Sequence, residues 1–470
     1  MNKSLVLKNK FYFYLSFLFT FFLFVYLLYF LVNGERGLLK YFSLKNLNAQ
    51  YNEQYMSLKK ENEFYLDRIK RLNHELGNPQ NKLKIISITG TNGKNSIALF
   101  IRSILEEAGY TCDLYSSPHV ISITERFVFS GKEISDDELC DLLEEVEKIN
   151  KGQSITFFEF LTSCFFLKAS RSKSDISIVE SGLFNRFDAC SEIKQNLMSV
   201  ISSIGLDHLE WLPENDRNVD RVIFEKTSKL LHSKIIVSEQ SDQIILDKIE
   251  KAIASNPSKK ILFSKDFSYS IKKNGFVFQD VFGKIELPYP NLLGAHQVAN
   301  ASCGIAAVRN LEDYPVNIDH IKKGITKIKS IARLQIIEKG KLKELAPTNT
   351  LIVDGTHNPL GAEVTRKYLD TLDKNKNIYM ILGMMNNKLH KDFLSHFKNK
   401  VFSITAIDIP NQQNAIKKEE LNKVIKEVGI QSSMANSIEE AIIEINKKDN
   451  LSYIFCTGSL YSAGEILKLN

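Results

Sequence analysis

The chain lacks the cysteine pairs that define disulfide-rich or zinc-binding proteins. Its six cysteines are far apart and form no C-x-x-C motif: Cys112, Cys140, Cys164, Cys190, Cys303 and Cys456. Disulfide frameworks and cysteine-based zinc sites need closer, patterned spacing. We therefore interpret all six cysteines as reduced residues in the core of a cytosolic domain.

A broad basic surface is missing as well. The net charge is +6, but residues 1–80 hold 11 Lys/Arg against 6 Asp/Glu, so most of the excess lies there. The rest of the chain is close to neutral, which argues against nucleic acid as a partner. With 470 residues, 44% of them hydrophobic, the chain is long enough for two or three ordinary globular domains.

A long apolar run, by contrast, is present near the N-terminus. Residues 11–32 contain no charged residue and are rich in Phe, Leu and Tyr. As a helix they would extend about 33 Å, which is enough to cross a bilayer. No convincing cleavage site follows the run. The pattern predicts an uncleaved transmembrane anchor over residues 1–33, with residues 11–32 in the membrane.

The spacing of apolar residues after the anchor predicts a short coiled coil over residues 34–63. From Leu44 onward, apolar residues recur at steps of three and four, with one irregular step between Tyr51 and Tyr55. We expect a coiled-coil partner to bind through residues 44–62. A single amphipathic helix lying on the folded body is the alternative.

The anchor, the segment GERGLL at residues 34–39 and the coiled coil together resemble the septum formation initiator family of bacterial division proteins. The resemblance covers about residues 10–62, and it implies a coiled coil outside the cytoplasm. Three lysines precede the apolar run and three basic residues follow it closely, so flanking charge does not decide the orientation.

Beyond residue 66, strand-like apolar runs alternate with helical patterns, first between residues 85 and 204 and again from residue 350. Such alternation predicts largely parallel sheets that are covered by helices on both faces. Both halves of the body are therefore expected to be α/β, with a boundary near residues 331–333.

The most informative segment is IISITGTNGKNS, residues 85–96. A buried strand runs into a tight loop that ends in Gly93-Lys94. Loops of this kind direct backbone N–H groups at phosphate oxygens, and the lysine neutralises the terminal phosphates. Ile88 stands where a standard Walker loop has its first glycine, so the loop is a shorter form.

Polar residues also follow two predicted strands. Glu180 comes directly after residues 176–179, and Asp207-His208 follow residues 200–204. Open α/β sheets bind ligands at the carboxyl ends of their strands. A carboxylate and an imidazole beside a phosphate loop can hold Mg²⁺, although carboxylates and water suit that ion better than imidazole. The sequence therefore predicts a Mg²⁺ site at this sheet edge.

These motifs occur with others in an order that resembles the folylpolyglutamate synthase/dihydrofolate synthase branch of the Mur ligase superfamily, over residues 66–470. The matching segments include the phosphate loop, Tyr115 to His119, Thr156 to Glu159, Glu180 to Leu183, Ser203 to His208, Gly294 to Gln297, Asp354 to Pro359 and Gly458 to Tyr461. The resemblance implies a Mur-ligase-like P-loop ATPase domain over residues 64–332 and a smaller, Rossmann-like C-terminal α/β domain over residues 333–470.

The resemblance also implies roles for individual residues. The implied ATP-binding residues are Gly90, Thr91, Asn92, Gly93, Lys94, Ser96, Asn300, Arg333 and Asp354. The implied Mg²⁺ ligands are Ser117, Glu180, His208 and a carbamylated Lys226, which would help to hold a second Mg²⁺. Lys94, Lys226 and His357 are the implied catalytic residues, with His357 near the γ-phosphate. The implied substrate contacts are Thr156, Phe157, Phe158, Glu159, Arg186 and Asp188.

The function that the resemblance implies is ATP-dependent ligation of L-glutamate to folate, or to dihydropteroate, through an acyl phosphate. A ligase body in the cytoplasm, anchored to the inner membrane, is the expected location. Two alternatives remain open: a cell-wall amino-acid ligase of the same superfamily, and a membrane-bound division scaffold whose ligase body is inactive.

The chain departs from the family pattern at several positions. Asn95 and Phe184-Asn185 replace glycines, and Ile97 replaces a small or hydroxyl residue. Ile331-Ala332 replace Pro-Gly ahead of Arg333, and the aspartates usual on both sides of Lys388 are absent. The pterin-contacting segment ahead of Leu66 is replaced by coiled coil. Where a replaced glycine has positive φ, a side chain costs about 1–2 kcal/mol.

Overall fold

The computed structural model describes residues 17–27, 29, 45 and 67–470, and the chain divides into two units, residues 1–67 and residues 68–470. Residues 17–27 are helical. Within the described residues, no helix is both long enough and apolar enough to cross a bilayer. The predicted anchor at residues 11–32 lies only partly within them. The predicted coiled coil at residues 34–63 lies outside them, except for residue 45.

An eight-stranded sheet forms the first half of the larger unit. Its strands are β1 Ile85–Thr89, β2 Cys112–Tyr115, β3 Phe127–Phe129, β4 Lys132–Glu133, β5 Ile176–Glu180, β6 Met198–Ile201, β7 Lys234–Val237 and β8 Lys260–Leu262. The order across the sheet is β4-β3-β2-β5-β1-β6-β7-β8. The six neighbours β2, β5, β1, β6, β7 and β8 pair in parallel, whereas β3 is antiparallel to both β2 and β4. The central strands are apolar and buried on both faces, as parallel sheets require.

Two further sheets follow. The second sheet is antiparallel, with β9 Phe267–Lys272, β10 Gly275–Asp280 and β11 Gly283–Leu287. The third has six strands in the order β12-β13-β17-β14-β15-β16. Its strands are β12 Gln335–Ile337, β13 Thr350–Val353, β14 Ile378–Leu382, β15 Ser403–Ala406, β16 Ser432–Met434 and β17 Tyr453–Thr457. Only β12 is antiparallel to its neighbour.

Helices cover the two large sheets. Those after β1 are α1 Lys94–Glu107, α2 Asp136–Asn150, α3 Phe157–Ser172, α4 Val219–Thr227, α5 Gln243–Ala252, α6 Ala295–Arg309, α7 Ile318–Lys327, α8 Lys341–Leu345, α9 Pro359–Leu369, α10 His390–Ser395, α11 Lys418–Val428, α12 Ile438–Lys448 and α13 Leu460–Leu469. A separate hydrophobic cluster packs on each face of the C-terminal sheet. The predicted pair of α/β halves is confirmed.

The sequence patterns missed the short and the amphipathic strands. The β3–β4 hairpin and the whole β9–β11 sheet were not predicted, because their strands are short or alternate between buried and exposed residues. In β10 the two aromatic residues Phe276 and Phe278 point into the core, where they pack with α6 residues. This small sheet extends the core of the first half.

The C-terminal helix α13 packs against a loop of the first half. Glu125 holds this loop by accepting backbone hydrogen bonds from Val120 (2.8 Å), Ile121 (2.7 Å) and Ser122 (2.8 Å). Val120 packs against the C-terminal core, and a Cβ on Gly464 would lie 2.0 Å from its carbonyl oxygen. A residue without a side chain is therefore required where α13 meets the loop.

We predict that Gly464→Ala destabilises the protein by about 1–3 kcal/mol, the usual range for an overpacked interior. The cause would be steric, because Gly464 has ordinary helical geometry and the added methyl group would meet the Val120 carbonyl. Chemical denaturation measures the effect. Glu465→Ala, the neighbouring position on the same helix, is the control for helix propensity. Equal stability of Gly464→Ala and wild type would contradict the packing described here.

Candidate functional site

The phosphate loop between β1 and α1 depends on two glycines that cannot be replaced without conflict. Gly90 has φ of 138°, and a Cβ there would lie 2.0 Å from the Ser202 hydroxyl. Gly93 has φ of 87°, and its Cβ would lie 2.6 Å from the Asn300 amide oxygen. The loop therefore combines left-handed backbone with close approach to β6 and α6.

Not every amide of this loop is available to a ligand. The N–H groups of Thr91 (2.9 Å) and Asn92 (3.1 Å) both donate to the Ser203 carbonyl. The first turn of α1 offers the amides from Gly93 to Ser96, because the first helical bond runs from Ile97 N–H to Gly93 O. These amides, at the positive end of the helix dipole, form the anion-binding part of the loop.

Lys94 points from this helix end towards Glu180, one of the residues expected to bind Mg²⁺. Its Nζ lies 3.2 Å from the Thr91 carbonyl and 3.7 Å from Oε1 of Glu180. Glu180 ends β5 and is 2% exposed. Burial raises the pKa of Glu180, and the nearby Lys94 opposes the rise. A lysine and a buried carboxylate thus face the phosphate loop together.

Ser117, another residue expected to bind Mg²⁺, lies beside Glu180. Its N–H lies 3.4 Å from Oε2 of Glu180, and its buried hydroxyl has no hydrogen-bond partner in the structure. His208 lies in the same cleft, and burial lowers its pKa to about 3, so its imidazole is neutral and can act as a ligand. A hydroxyl, a carboxylate and an imidazole fit a divalent cation.

Within the described part of the chain, no three His, Cys, Asp or Glu side chains converge into a metal-binding group. The expected set contains only two such residues, Glu180 and His208. Mg²⁺ commonly takes one or two protein carboxylates and completes its shell with water and substrate phosphates.

Asp207, which directly precedes the implied Mg²⁺ ligand His208, has a different set of contacts. Its carboxylate accepts hydrogen bonds from the side chains of Asn358 (2.8 Å) and Lys388 (2.7 Å), and His357 Nε2 lies 3.4 Å away. Burial alone would raise the pKa of Asp207, but His357, His208 and Lys388 hold it well below its usual value. Asp207 therefore joins the two halves of the site.

Lys226 is buried, with 1% of its surface exposed. From the sequence alone, without the family resemblance, this lysine would be interpreted as an exposed surface residue. Its Nζ donates to the carbonyls of Gly90 and Leu183, each at 2.8 Å. Burial, with Lys94 nearby, lowers the pKa of Lys226 to about 7. The Phe184 ring lies 5.2 Å from this Nζ and meets the His208 ring edge-on. Phe184 thus fills the space between the two residues.

The nucleotide side is built from both halves of the larger unit. Asn300 on α6 donates to Gln297 Oε1 at 3.0 Å, and Asp354 follows β13. Asp354 accepts the backbone amides of Leu334 (2.8 Å) and Thr356 (2.9 Å). The first of these bonds fixes the backbone directly after Arg333, which lines the same cleft.

The backbone on both sides of Arg333 is strained, and on one side the strained residue is Ala332, which stands where the family has glycine. Ala332 and Leu334 have φ of 53° and 50°, in the left-handed region that glycine adopts most easily. A non-glycine residue there costs about 1–2 kcal/mol. By contrast, Asn95, Phe184 and Asn185 have ordinary negative φ, so their side chains add no backbone strain of this kind.

An amide pair links the phosphate loop to the C-terminal domain. Asn92 and Asn358 donate to each other at 2.9 and 3.0 Å. Asn358 also caps α9 by accepting the Gly361 amide at 2.9 Å, so its side chain is fully used. His357, beside it, is oriented by a 2.8 Å contact between its Nδ1 and the Gly355 carbonyl.

Twelve of the residues expected from the sequence line one cleft of about 1050 Å³. They are Thr91, Asn92, Gly93, Lys94, Ser96, Ser117, Glu180, His208, Asn300, Arg333, Asp354 and His357. The cleft also includes Asp207, Asn387 and Lys388, which were not among the predicted site residues. Gly90 and Lys226 lie behind the loop.

The expected substrate residues do not line this cleft. Thr156 and Glu159 form a capping box at the start of α3, and Glu159 pairs with Arg68 at 3.0 Å. Phe157 is 61% exposed and stacks near Arg126. Phe158 covers Gly182, where a Cβ would lie 2.6 Å from the ring. Phe158 thus connects α3 to the strand end that carries Glu180.

Arg186 and Asp188 already have structural partners. Arg186 makes a bidentate ion pair with the buried Glu225, at 2.8 and 2.9 Å. Asp188 accepts the backbone amides of Gly182, Leu183 and Cys190 at 3.0 Å each. These bonds shape the segment after Glu180, so both residues support the site from behind.

Comparison with known proteins gives two family matches. The Mur ligase middle domain matches residues 88–308, and the glutamate ligase domain of Mur ligases matches residues 332–460. The dihydrofolate synthase/folylpolyglutamate synthase of Bacillus subtilis is 28% identical, and the alignment covers 86% of this chain and 94% of that protein.

Solved structures share the fold. Folylpolyglutamate synthase of Mycobacterium tuberculosis complexed with ADP has a TM-score of 0.75 at 21% identity, covering 88% of this chain and 97% of that one. The bifunctional folylpolyglutamate synthase/dihydrofolate synthase of Yersinia pestis with Mn, AMPPNP and L-glutamate bound has a TM-score of 0.74 at 23% identity, covering 86% and 93%.

We predict that Lys94→Ala weakens ATP binding by about 10- to 100-fold, the effect of removing a charged hydrogen-bond donor. Calorimetric titration with a non-hydrolysable ATP analogue measures the affinity. The thermal midpoint is measured as well, because Lys94→Ala leaves the buried Glu180 without its nearby cation and should lower stability. Lys148→Ala, on an exposed helix face, is the control. Unchanged affinity in Lys94→Ala would remove the lysine from the phosphate site.

Proposed function

This chain belongs to the Mur ligase family, and from that membership we propose that it is an ATP-dependent amide-forming ligase that adds L-glutamate to folate, with dihydropteroate as a second acceptor. The observation that carries the proposal is the single cleft that the phosphate loop, the Ser117–Glu180 pair and the Asp354–His357 segment line together. A nucleotide and a carboxylate substrate can meet there.

The reaction begins with attack of the substrate carboxylate on the γ-phosphate of ATP, which forms an acyl phosphate as ADP leaves. Two anions must approach each other, so positive charge is needed at the point of contact. Lys94 and the amides at the start of α1 supply part of it. A bound Mg²⁺ supplies the rest, and Ser117, Glu180 and His208 would hold it.

The resulting acyl phosphate is attacked by the amine of glutamate, and phosphate leaves as the amide bond forms. Water competes with the amine, so the cleft must be closed during the reaction. His357 and Arg333 come from the C-terminal domain, so a nucleotide that contacts them also holds the two domains together.

We propose finer assignments as well. The ATP-binding, metal and catalytic residues keep the roles that the sequence implies, and the ligase domains divide at residues 332 and 333. Two Mg²⁺ ions and a carbamylated Lys226 belong to the same proposal. The depressed pKa of Lys226 supports it, because only the neutral amine reacts with carbon dioxide.

We also propose that the ligase body lies in the cytoplasm, where ATP, reduced folates and glutamate are supplied, and that residues 11–32 anchor it to the membrane. A coiled-coil partner for residues 44–62 is part of this proposal. Measurement of the mass of the native protein in membrane and soluble fractions tests the anchor. Full-length protein found only in the soluble fraction would argue against it.

A substrate panel tests the function. The purified chain should release phosphate from ATP only when glutamate and a folate or dihydropteroate are both present. Nucleotide-linked sugar substrates should give only background release. Phosphate release with those sugars instead would favour a cell-wall ligase. ATP binding without turnover on any substrate would favour the inactive division scaffold.

Lys226→Ala should lower kcat by about 100-fold, the upper range for losing a group that supports a metal site. Short carboxylates added to the assay should restore part of the rate, since they can occupy the place of the carbamate. Lys229→Ala, three residues along the chain, is the control. Normal turnover by Lys226→Ala would exclude the residue from the reaction.

A further inference from the structure

The loop at residues 384–390 of the C-terminal domain is firmly attached to its own domain. The Asn386 amide donates to the Asn414 carbonyl at 2.9 Å, and the Ile416 amide donates to the Met384 carbonyl at 3.0 Å. His390 Nε2 lies 2.9 Å from the Met385 carbonyl. Any contact that this loop makes across the cleft therefore bears on the position of the whole domain.

Two consecutive side chains of this loop reach the central domain. Lys388 Nζ donates to Asp207 Oδ1 at 2.7 Å, and both side chains are largely buried, with 11% and 5% exposed. Asn387 Nδ2 donates to Glu210 Oε1 at 2.6 Å on the exposed side of the cleft. We call these two contacts the clasp.

The two sides of the clasp are complementary in charge and in hydrogen bonding. The central domain offers two carboxylates, Asp207 and Glu210, and the C-terminal domain offers an ammonium and an amide N–H₂. An aspartate at position 387 would oppose Glu210 with a like charge. The asparagine at this position, one of the departures from the family pattern, is therefore what permits the second contact.

We propose that the clasp holds the C-terminal domain closed over the phosphate loop, and that Asn387 and Glu210 are positioning residues that limit loss of the acyl phosphate to water. The proposal deepens the proposed ligase function and rests on it for one of its two readouts. Neither residue needs to touch the reacting atoms, because both act through the distance between the domains.

The decisive variants change which side of the Asn387–Glu210 contact carries the hydrogen-bond donor and which carries the acceptor. Asn387→Asp places two carboxylates opposite each other, and Asn387→Asp combined with Glu210→Gln restores a donor and an acceptor in reversed order. Asn386→Asp adds the same charge one residue earlier in the loop and is the matched control. All variants are made in the full chain.

The first readout does not require ligase activity. Affinity for a non-hydrolysable ATP analogue should fall about fivefold to tenfold in Asn387→Asp, because nucleotide contacts come from both domains, and it should return in the double variant. Trp211, the only tryptophan in the chain, adjoins Glu210 and provides a fluorescence signal for the same titration.

The second readout is the amount of phosphate released per glutamate incorporated. We expect a ratio near one in the wild type and in Asn386→Asp, a ratio of at least about three in Asn387→Asp, and recovery in the double variant. Wild-type affinity and ratio in Asn387→Asp, or failure of the double variant to recover either, would overturn the clasp. Absence of folate-dependent turnover in the wild type would instead refute the proposed function, and the affinity readout would still decide the clasp.

Discussion

The arrangement of this site depends on one buried carboxylate. Asp207 follows β6 in the central domain and accepts hydrogen bonds from Asn358 and Lys388 of the C-terminal domain. Breaking a buried ion pair on one side is costly, because the remaining charge has neither water nor a partner. The domain arrangement that satisfies Asp207 is also the one that brings Arg333, Asp354 and His357 to the phosphate loop.

In the phosphate loop, too, several polar groups have a partner within the protein before any ligand is bound. Two loop amides bind the Ser203 carbonyl, and the Asn92 side chain pairs with Asn358. The amides in the first turn of α1 and the hydroxyl of Ser117 remain open, and Lys94 lies beside them with contacts to the Thr91 carbonyl and Glu180. Because few groups are open, a ligand gains binding energy only if its own polar atoms lie where they can pair with these groups. The site therefore selects ligands by the positions of their polar atoms.

Much of the site could be predicted from the sequence, and the limits have physical reasons. The loop and Glu180 are visible as polar or glycine interruptions at the ends of apolar strands. Asp207 was visible too, but its partners Asn358 and Lys388 lie 151 and 181 residues away, and no local pattern indicates that pairing. The β9–β11 sheet and the left-handed Ala332 depend on tertiary packing that overrides local preference.

The close approach at Gly90 has a consequence for the genetics of this protein. Any amino-acid change that a single base substitution can make in a glycine codon adds a Cβ, and at this position that atom would lie 2.0 Å from the Ser202 hydroxyl. Ser202, directly after β6, is itself fully buried. Codon 90 should therefore tolerate synonymous changes, whereas every single-base change of the amino acid introduces this steric conflict.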